Sequence, residues 1–302
     1  MQTISASTLS ALVNGFRLSL GPPRAIIVPR ASALAKLQDV TVSGRLLKKQ
    51  LTTIDPKTNK RTWRLGSKGT GQYEIEKGDG DLHFCLGTQQ SKPHIPCELQ
   101  EARAALAAFQ GAVGKTIQVS GFFRCLFEHS GFFGPADAHI FEIHPVGTVN
   151  LGAGIIRSDV AVPEPAAVHP WGHPVDPNDP TSLLNPLDAK MRVRYDRKTD
   201  TLTFTGMGLR DHNYVSVTGT VTNVQLRTTS LEPATFTFTS PDIPKPKTVL
   251  CLKGSKAYLK LRALPKGKPV KVDLIGLRNI DLNQALQSRY VINLLGIDIH
   301  KH

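Results

Sequence analysis

Seven prolines fall between residues 151 and 190, all of them in PEPAAVHPWGHPVDPNDPTSLLNP, and they constrain the fold more than any other feature of the 302-residue chain. Each fixes its own φ and removes a backbone donor, so neither a helix nor a strand ladder runs through the stretch. The segment reads as a linker. A chain of this length exceeds the usual single domain of about 100–150 residues, and each flanking block is long enough to bury a core. The expected division is a basic N-terminal arm over 1–38, a first domain over 39–150, the linker over 151–190 and a second domain over 191–302. Within the linker, His169, His173 and Asp176 beside Trp171 form a polar set that could meet a metal or a partner. Its irregular backbone argues against metal-site geometry, so no cofactor is expected.

The arm carries four basic and no acidic residues. That composition overlaps organelle transit peptides, but a mobile basic arm on a cytoplasmic protein is the preferred reading. No run approaches the length of a membrane-spanning helix, so no membrane partner is expected. Cys85, Cys97, Cys125 and Cys251 show neither a CxxC pair nor zinc spacing, which favours packed, reduced thiols.

Charge is unevenly placed. The chain holds 37 Lys+Arg against 24 Asp+Glu, a formal net charge of +13. Residues 191–302 alone hold 18 basic and eight acidic residues, whereas 39–150 hold 13 and 11. A basic excess concentrated in one third of a chain points to a polyanionic partner.

Alternating apolar residues predict strands at VTVSGRLLKKQL (40–51), DLHFCLG (81–87), KTIQVSGFFRCLF (115–127) and AHIFEIHPVGTV (138–149). CELQEARAALAAFQ places Leu99, Ala102, Leu106 and Phe109 at helical spacing, closed by Gly111 and Gly114. The segment from GRLLKKQ to GSKGTG is expected as a long loop after the first strand, and GQYEIEK (71–77) as part of the second. After the linker, MRVRYDRKTDTLTFTG reads as a hairpin, and NYVSVTGTVTNVQLR, ATFTFTS, KTVLCLKG, KAYLKLRAL, KPVKVDLIGLRNI and YVINLLGIDI as further strands, with no long helix. VTVSGRL, IQVSGFF and VSVTGTV each carry a glycine in mid-strand, as the bends of small barrels require. The fold class is therefore mainly β: two small β-barrel domains, the first with one helix.

DGDLHF (79–84) with IQVSGFFRCLFEHSGFFGPADAHIFEIHPV (117–146) resembles an uncharacterised bacterial OB-like domain over about residues 40–149. That group carries a DGD-hydrophobic-His strand, a Val-rich strand closing on Gly, and an E-hydrophobic-H-P-V strand. The resemblance implies an OB-like barrel for the first domain and no particular activity.

Single-strand binders combine cations that track phosphates with aromatic faces that stack bases. As a strand, KAYLKLRAL would turn Lys256, Tyr258, Lys260 and Arg262 to one side and Ala257, Leu259, Leu261 and Ala263 to the other. Lys253, Lys266 and Lys268 flank this stripe. The first domain adds Lys48 and Lys49 at the end of its first strand, Arg61, Trp63 and Arg64 in the loop after it, and an outward Phe122 and Arg124 if Phe123 faces inward. The expected function is non-catalytic binding of single-stranded DNA or RNA.

Two alternatives stand beside it. Ser216, Thr218, Thr220 and Thr222, with the Pro/Trp linker, would suit a protein- or glycan-interaction module. Asp81 with His83, and Glu142 with His144, could meet as metal ligands or as acid and base in a hydrolase. The absence of HExxH, GxSxG and a phosphate loop weighs against an enzyme.

Overall fold

The computed structural model describes residues 2–48, 50–65, 82–100, 102–132, 138–157, 190–206, 214–226, 234–241, 243, 245–251 and 256–302. The linker prolines, Lys49, Asp81 and Lys253 lie outside the described residues, as do His169, Trp171, His173 and Asp176. In chain order the elements are β1 (Gln2–Ser5), α1 (Ala6–Val13), β2 (Arg17–Ser19), β3 (Ala25–Pro29), α2 (Ala31–Ala35), β4 (Asp39–Leu47), β5 (Gln50–Ile54), β6 (Arg61–Leu65), β7 (Leu82–Gly87) and β8 (His94–Leu99). A 3-10 turn over Arg103–Ala105 leads into α3 (Leu106–Ala112), followed by β9 (Thr116–His129), β10 (His139–Asn150) and β11 (Ile155–Arg157). After the linker come β12 (Arg192–Asp196), β13 (Thr201–Thr205), β14 (Tyr214–Gln225), β15 (Ala234–Thr239), β16 (Lys247–Cys251), α4 (Lys256–Ala263), β17 (Val270–Ile280), α5 (Leu282–Ala285) and β18 (Ile292–Lys301). The protein is mainly β, and among the described residues no helix is long and apolar enough to cross a membrane.

In the second half β14, β15, β16, β18 and β17 form a closed barrel. The pairing of β16 with β18, Val249 opposite Leu294, is parallel, and α4 lies between the third and fourth strands in sequence. The first half repeats the order. Strand β4 pairs antiparallel with β7 and with β9; β7 pairs with β8, β8 runs parallel to β10 at Cys97 opposite Ile143, and β10 pairs with β9. These pairings return to β4, with α3 again between the third and fourth strands. Gly44 and Gly219 occupy the first strand of each set for a steric reason: a Cβ on Gly44 would lie 2.3 Å from the Ala6 Cβ, and one on Gly219 would lie 2.3 Å from the Thr239 oxygen. At Gly44 the missing side chain lets α1 lie directly on the strand.

Two boundaries differ from the sequence reading. Residues 2–38, expected as a mobile arm, are built into the fold: β1 runs parallel to β4, and Leu9, Phe16, Ile26 and Leu34 are buried in the first core. The second block does not begin as a separate unit at 191. Strands β12 and β13 join β3 and β2 in one four-stranded sheet, Leu202 opposite Val28 and Phe204 opposite Ile26. The apolar halves of RLS, AIIVP, RVRYD and TLTFT match at period two, and the faces they would leave wet separately are covered only when both ends of the chain meet. Ile280, Leu282, Ala285 and Ile292, from the connection between β17 and β18, enter the same core.

Local assignments also change. The segment from 97 to 109 is not one helix: Cys97–Leu99 finishes β8, and the helix proper is α3. Sequence reasoning passes over β8 because Pro96 interrupts it; in the sheet Pro96 pairs opposite Cys85. The long loop after the first strand contains the β5–β6 hairpin. Most consequentially, KAYLKLRA is the helix α4. Tyr258, outward in the strand reading, is 9% exposed, whereas Leu259, inward in that reading, is 50% exposed. Ala257, Tyr258 and Leu261 form one helical face against the barrel, and Ala, Leu, Lys and Arg are all strong helix formers. The segment satisfies periods of both 2 and 3.6, and packing selects the second.

All four cysteines are buried and unbridged.

Two outcomes follow from this architecture. With a protease site placed within residues 158–189, cleavage should leave the fragments co-eluting in gel filtration, because β3 and β13 pair across the cut; separation into two folded pieces would contradict the shared sheet. The second concerns Asp39, whose buried carboxylate has no hydrogen-bond partner among the described residues. Burial raises its pKa from 3.8 to about 7. The folded state then holds a proton that the unfolded chain releases, so this residue makes stability fall as pH rises from about 4 through 7. Asp39→Asn should raise stability at pH 8 by roughly 2–4 kcal/mol and leave it nearly unchanged at pH 3.5, read by denaturant titration.

Candidate nucleic-acid interface

The cations singled out in the second half divide into two groups. Lys256 and Lys260, one turn apart on α4, both reach Asp298 on β18, at 3.2 and 2.7 Å. Asp298 is fully buried and also takes the Ile299 N–H and, at 3.1 Å, His300 Nε2. These two lysines neutralise a carboxylate inside the fold and are not a free stripe; removing either would leave a buried charge undercompensated. Tyr258 is packed with Ala257 and Leu261 against the barrel wall and is only 9% exposed, so it does not present a ring to a base as the strand reading expects.

Arg262, Lys266 and Lys268 form the second group. All three are exposed and line one cleft of about 490 Å³, together with Thr222, Asn223 and Leu261. The end of α4 and the turn through Pro265 and Pro269 bring them together, with Gly267 at φ 71° supplying the left-handed turn residue. The Arg262 guanidinium lies 6.0 Å from the Tyr258 ring centre, one helical turn back. Thr222 links this cleft to the Ser/Thr face of β14, where Thr218 donates to Asp273 at 2.5 Å.

The first half contributes less than expected. Lys48 is half-buried. Arg61 is a strut: it donates to the Phe16 carbonyl and lies 4.5 Å from the Phe16 ring centre, and burial lowers its pKa to about 10. Trp63 is half-buried opposite Thr52. Asn59 at the hairpin tip clamps both the N–H and the C=O of Leu18, so the hairpin is tied down. Arg64 is exposed, with Lys57 and Lys60, which sequence reasoning did not single out.

Phe122 and Arg124 do point out of their strand's inner face, but onto the second barrel. Phe122 packs with Ile275, Leu277, Leu295 and Ile297. Arg124 is fully buried, donating from Nε to the Arg278 carbonyl at 2.7 Å and from Nη1 to Glu142. Neither is available to a ligand.

The histidine–carboxylate pair of the hydrolase alternative is real and larger than its sequence signal. His144 Nδ1 lies 3.1 Å from Glu98 and 3.2 Å from both Glu142 and Arg124. His139 approaches Glu142 at 3.3 Å, and His83 approaches Glu98 at 3.9 Å. Glu98 was missed because its strand was missed; register places it directly opposite His83. Ligand atoms of Glu98, Glu142 and His144 fall within 4.8 Å of one another, a spacing that could hold a metal ion. Arg124, however, already brings a fixed positive charge against Glu142 and His144. Burial alone would raise the Glu142 carboxyl, but the Arg124 charge and hydrogen bonds from His139 and His144 hold it well below the usual carboxylate range. The cluster is an ion-pair network within the first half, and Arg124 links it to the second half through the Arg278 carbonyl.

Removing Arg124 leaves the Glu142 carboxylate buried near that of Glu98 with one cation fewer to balance them. Arg124→Gln should therefore cost about 3–5 kcal/mol in denaturant unfolding. Since the folded Glu142 value is depressed, its contribution is present above the ordinary value of 4.5 and lost as pH falls below it. Glu142→Gln should accordingly flatten the acid limb of the stability profile; an unchanged limb would show that the network is not the source.

No protein-family model matches the chain, and comparison with curated proteins gives no match. Among solved structures, a murine DNA-binding protein bound with double-stranded DNA is similar over 87% of this chain and 99% of that one, at 8% identity and a TM-score of 0.24. At that TM-score the similarity assigns neither a fold nor a ligand.

Proposed function

We propose that this protein binds nucleic acid without catalysing a reaction, through tandem OB-like barrels. Supporting the OB-like assignment, both five-strand sets share one order, a parallel contact between third and fifth strands, and a helix between third and fourth. OB barrels use such scaffolds for oligonucleotides and oligosaccharides. The observation that carries the functional reading is the convergence of Arg262, Lys266 and Lys268 on one cleft beside the closed barrel, in the half with the greatest basic excess. Three cations that hold no buried carboxylate, as Lys256 and Lys260 do, suit a phosphate backbone. Single-stranded DNA or RNA is the proposed partner class, and the acid–base groups beside Arg124 have no part in it.

Fluorescence anisotropy with single-stranded DNA, single-stranded RNA and duplex DNA across a salt series tests this. The triple variant Arg262→Gln, Lys266→Gln, Lys268→Gln should keep the fold and lower the slope of log affinity against log salt by about 2, at roughly 0.7 per single-strand contact. Wild-type binding that ignores salt would favour the protein- or glycan-interaction reading, and an unaltered slope in the variant would move the site elsewhere.

A further inference from the structure

The sheet that joins the two ends of the chain has a second use. Its inner face is core: Leu18, Ile26, Val28, Leu202 and Phe204 are buried. Its outer face carries two straight rows of residues in register across all four strands. One runs Arg17, Ile27, Thr203, Arg194; the other runs Ser19, Ala25, Thr205, Arg192. Arg17, Arg192 and Arg194 are exposed, and so are Arg197 and Lys198 in the β12–β13 turn. Asp196 is the single acidic residue in these four strands, and its carboxylate is taken by Thr199 and the Lys198 N–H.

From the nucleic-acid reading above, on which this inference rests, we infer that the outer face of this sheet is a second contact surface, for the phosphate backbone and not the bases. Three facts favour that occupant. The charge is predominantly positive and sits at both edges of the face, with the one carboxylate, Asp196, already taken by Thr199 and the Lys198 N–H. Three inter-strand steps separate Arg17 from Arg194, about 14 Å, far enough for the two to contact different phosphates of one strand. Thr203 and Thr205 lie between the arginines as hydroxyl donors, while Tyr195, the aromatic of β12, turns inward to hydrogen-bond Asp200. A surface with cations and hydroxyls but no stacking ring reads backbone alone, so its contribution is independent of base sequence. The surface does not exist in either end of the chain alone, because β2 and β3 supply one edge and β12 the other.

The double variant Arg17→Gln, Arg194→Gln in the full chain tests this by anisotropy over a salt series, with homopolymer and mixed-sequence single strands. The slope should fall by about 1.4, at roughly 0.7 per contact, and equally for both sequences. Thr203→Glu, which sets a carboxylate in the middle of the row without touching either arginine, should weaken binding at low salt. The double variant should melt with wild type, since Arg17 and Arg194 are exposed, and Thr203→Glu should melt within a few degrees of it, since Thr203 lies on the sheet's outer face. Wild-type binding with an unchanged slope in the double variant overturns the sheet surface and leaves the cleft standing. Wild-type protein that binds no oligonucleotide overturns the function itself, and the sheet surface with it. An unchanged oligonucleotide slope together with lost binding to anionic phosphatidylserine vesicles would overturn this inference and give the sheet to a lipid surface.

Discussion

The outer face of the β9–β10 region against the outer face of the closed barrel of the second half is the contact on which the rest depends. Phe122 is seated among Ile275, Leu277, Leu295 and Ile297, and beside it Asn279 accepts from the Cys125 N–H while Arg124 donates to the Arg278 carbonyl. A strand with one solvated face alternates, but β9 from Gly121 to Phe127 and β17 from Leu274 to Ile280 are buried at every position. The near-continuous apolar runs FFRCLF and LIGLRNI are the chemical consequence. Glu142, His144 and a backbone carbonyl of the other half partner the Nε and Nη1 of the buried Arg124, while its Nη2 has no partner among the described residues.

This contact also decides what can bind where. Here the first set has α1 laid across β4, β7 and β8, with Asn14 bonded to the His94 carbonyl and Ala6 against Gly44. At Phe122 its outer face meets the closed barrel of the second half, while Thr116 and Gln118 of β9 stay exposed. Away from this contact, exposed cations gather at the α4 cleft, the β5–β6 hairpin and the four-stranded sheet, while Arg45, Lys92, Lys115, Lys271 and Lys301 are exposed elsewhere. A polyanion would meet the molecule along these margins, and the acidic groups between them are already neutralised from within, Asp298 by two lysines and Glu142 by an arginine.

Much of the strand inventory was legible because the signal is local. ATFTFT turns Ala234, Phe236 and Phe238 inward and its threonines outward, as its alternation dictates. The positions of the mid-strand glycines were legible, although the atoms that exclude a side chain there were not. The candidate site was only partly readable. Arg262, Lys266 and Lys268 were named for their charge, but a strand reading could not say that they share a cleft while Lys256 and Lys260 do not. Glu98 carried no signal because Pro96 hid its strand, and the row from Arg17 to Arg194 spans 177 positions of sequence.

By itself the sequence determined a mainly β protein, its basic excess and where that excess falls, the alternation of most strands and the breaking power of the prolines, since each depends on a residue and its near neighbours. The tertiary structure alone decided three things. It chose the helical period for KAYLKLRA, because a barrel wall offered Ala257, Tyr258 and Leu261 a common seat. It drew residues 2–38 and 192–205 into one core, because each carries half of an apolar sheet that neither can cover alone. And it sorted the cations into those that face solvent and those that hold a buried carboxylate, because the partner of a charge is fixed by the strand lying beside it, which may be far away in the chain.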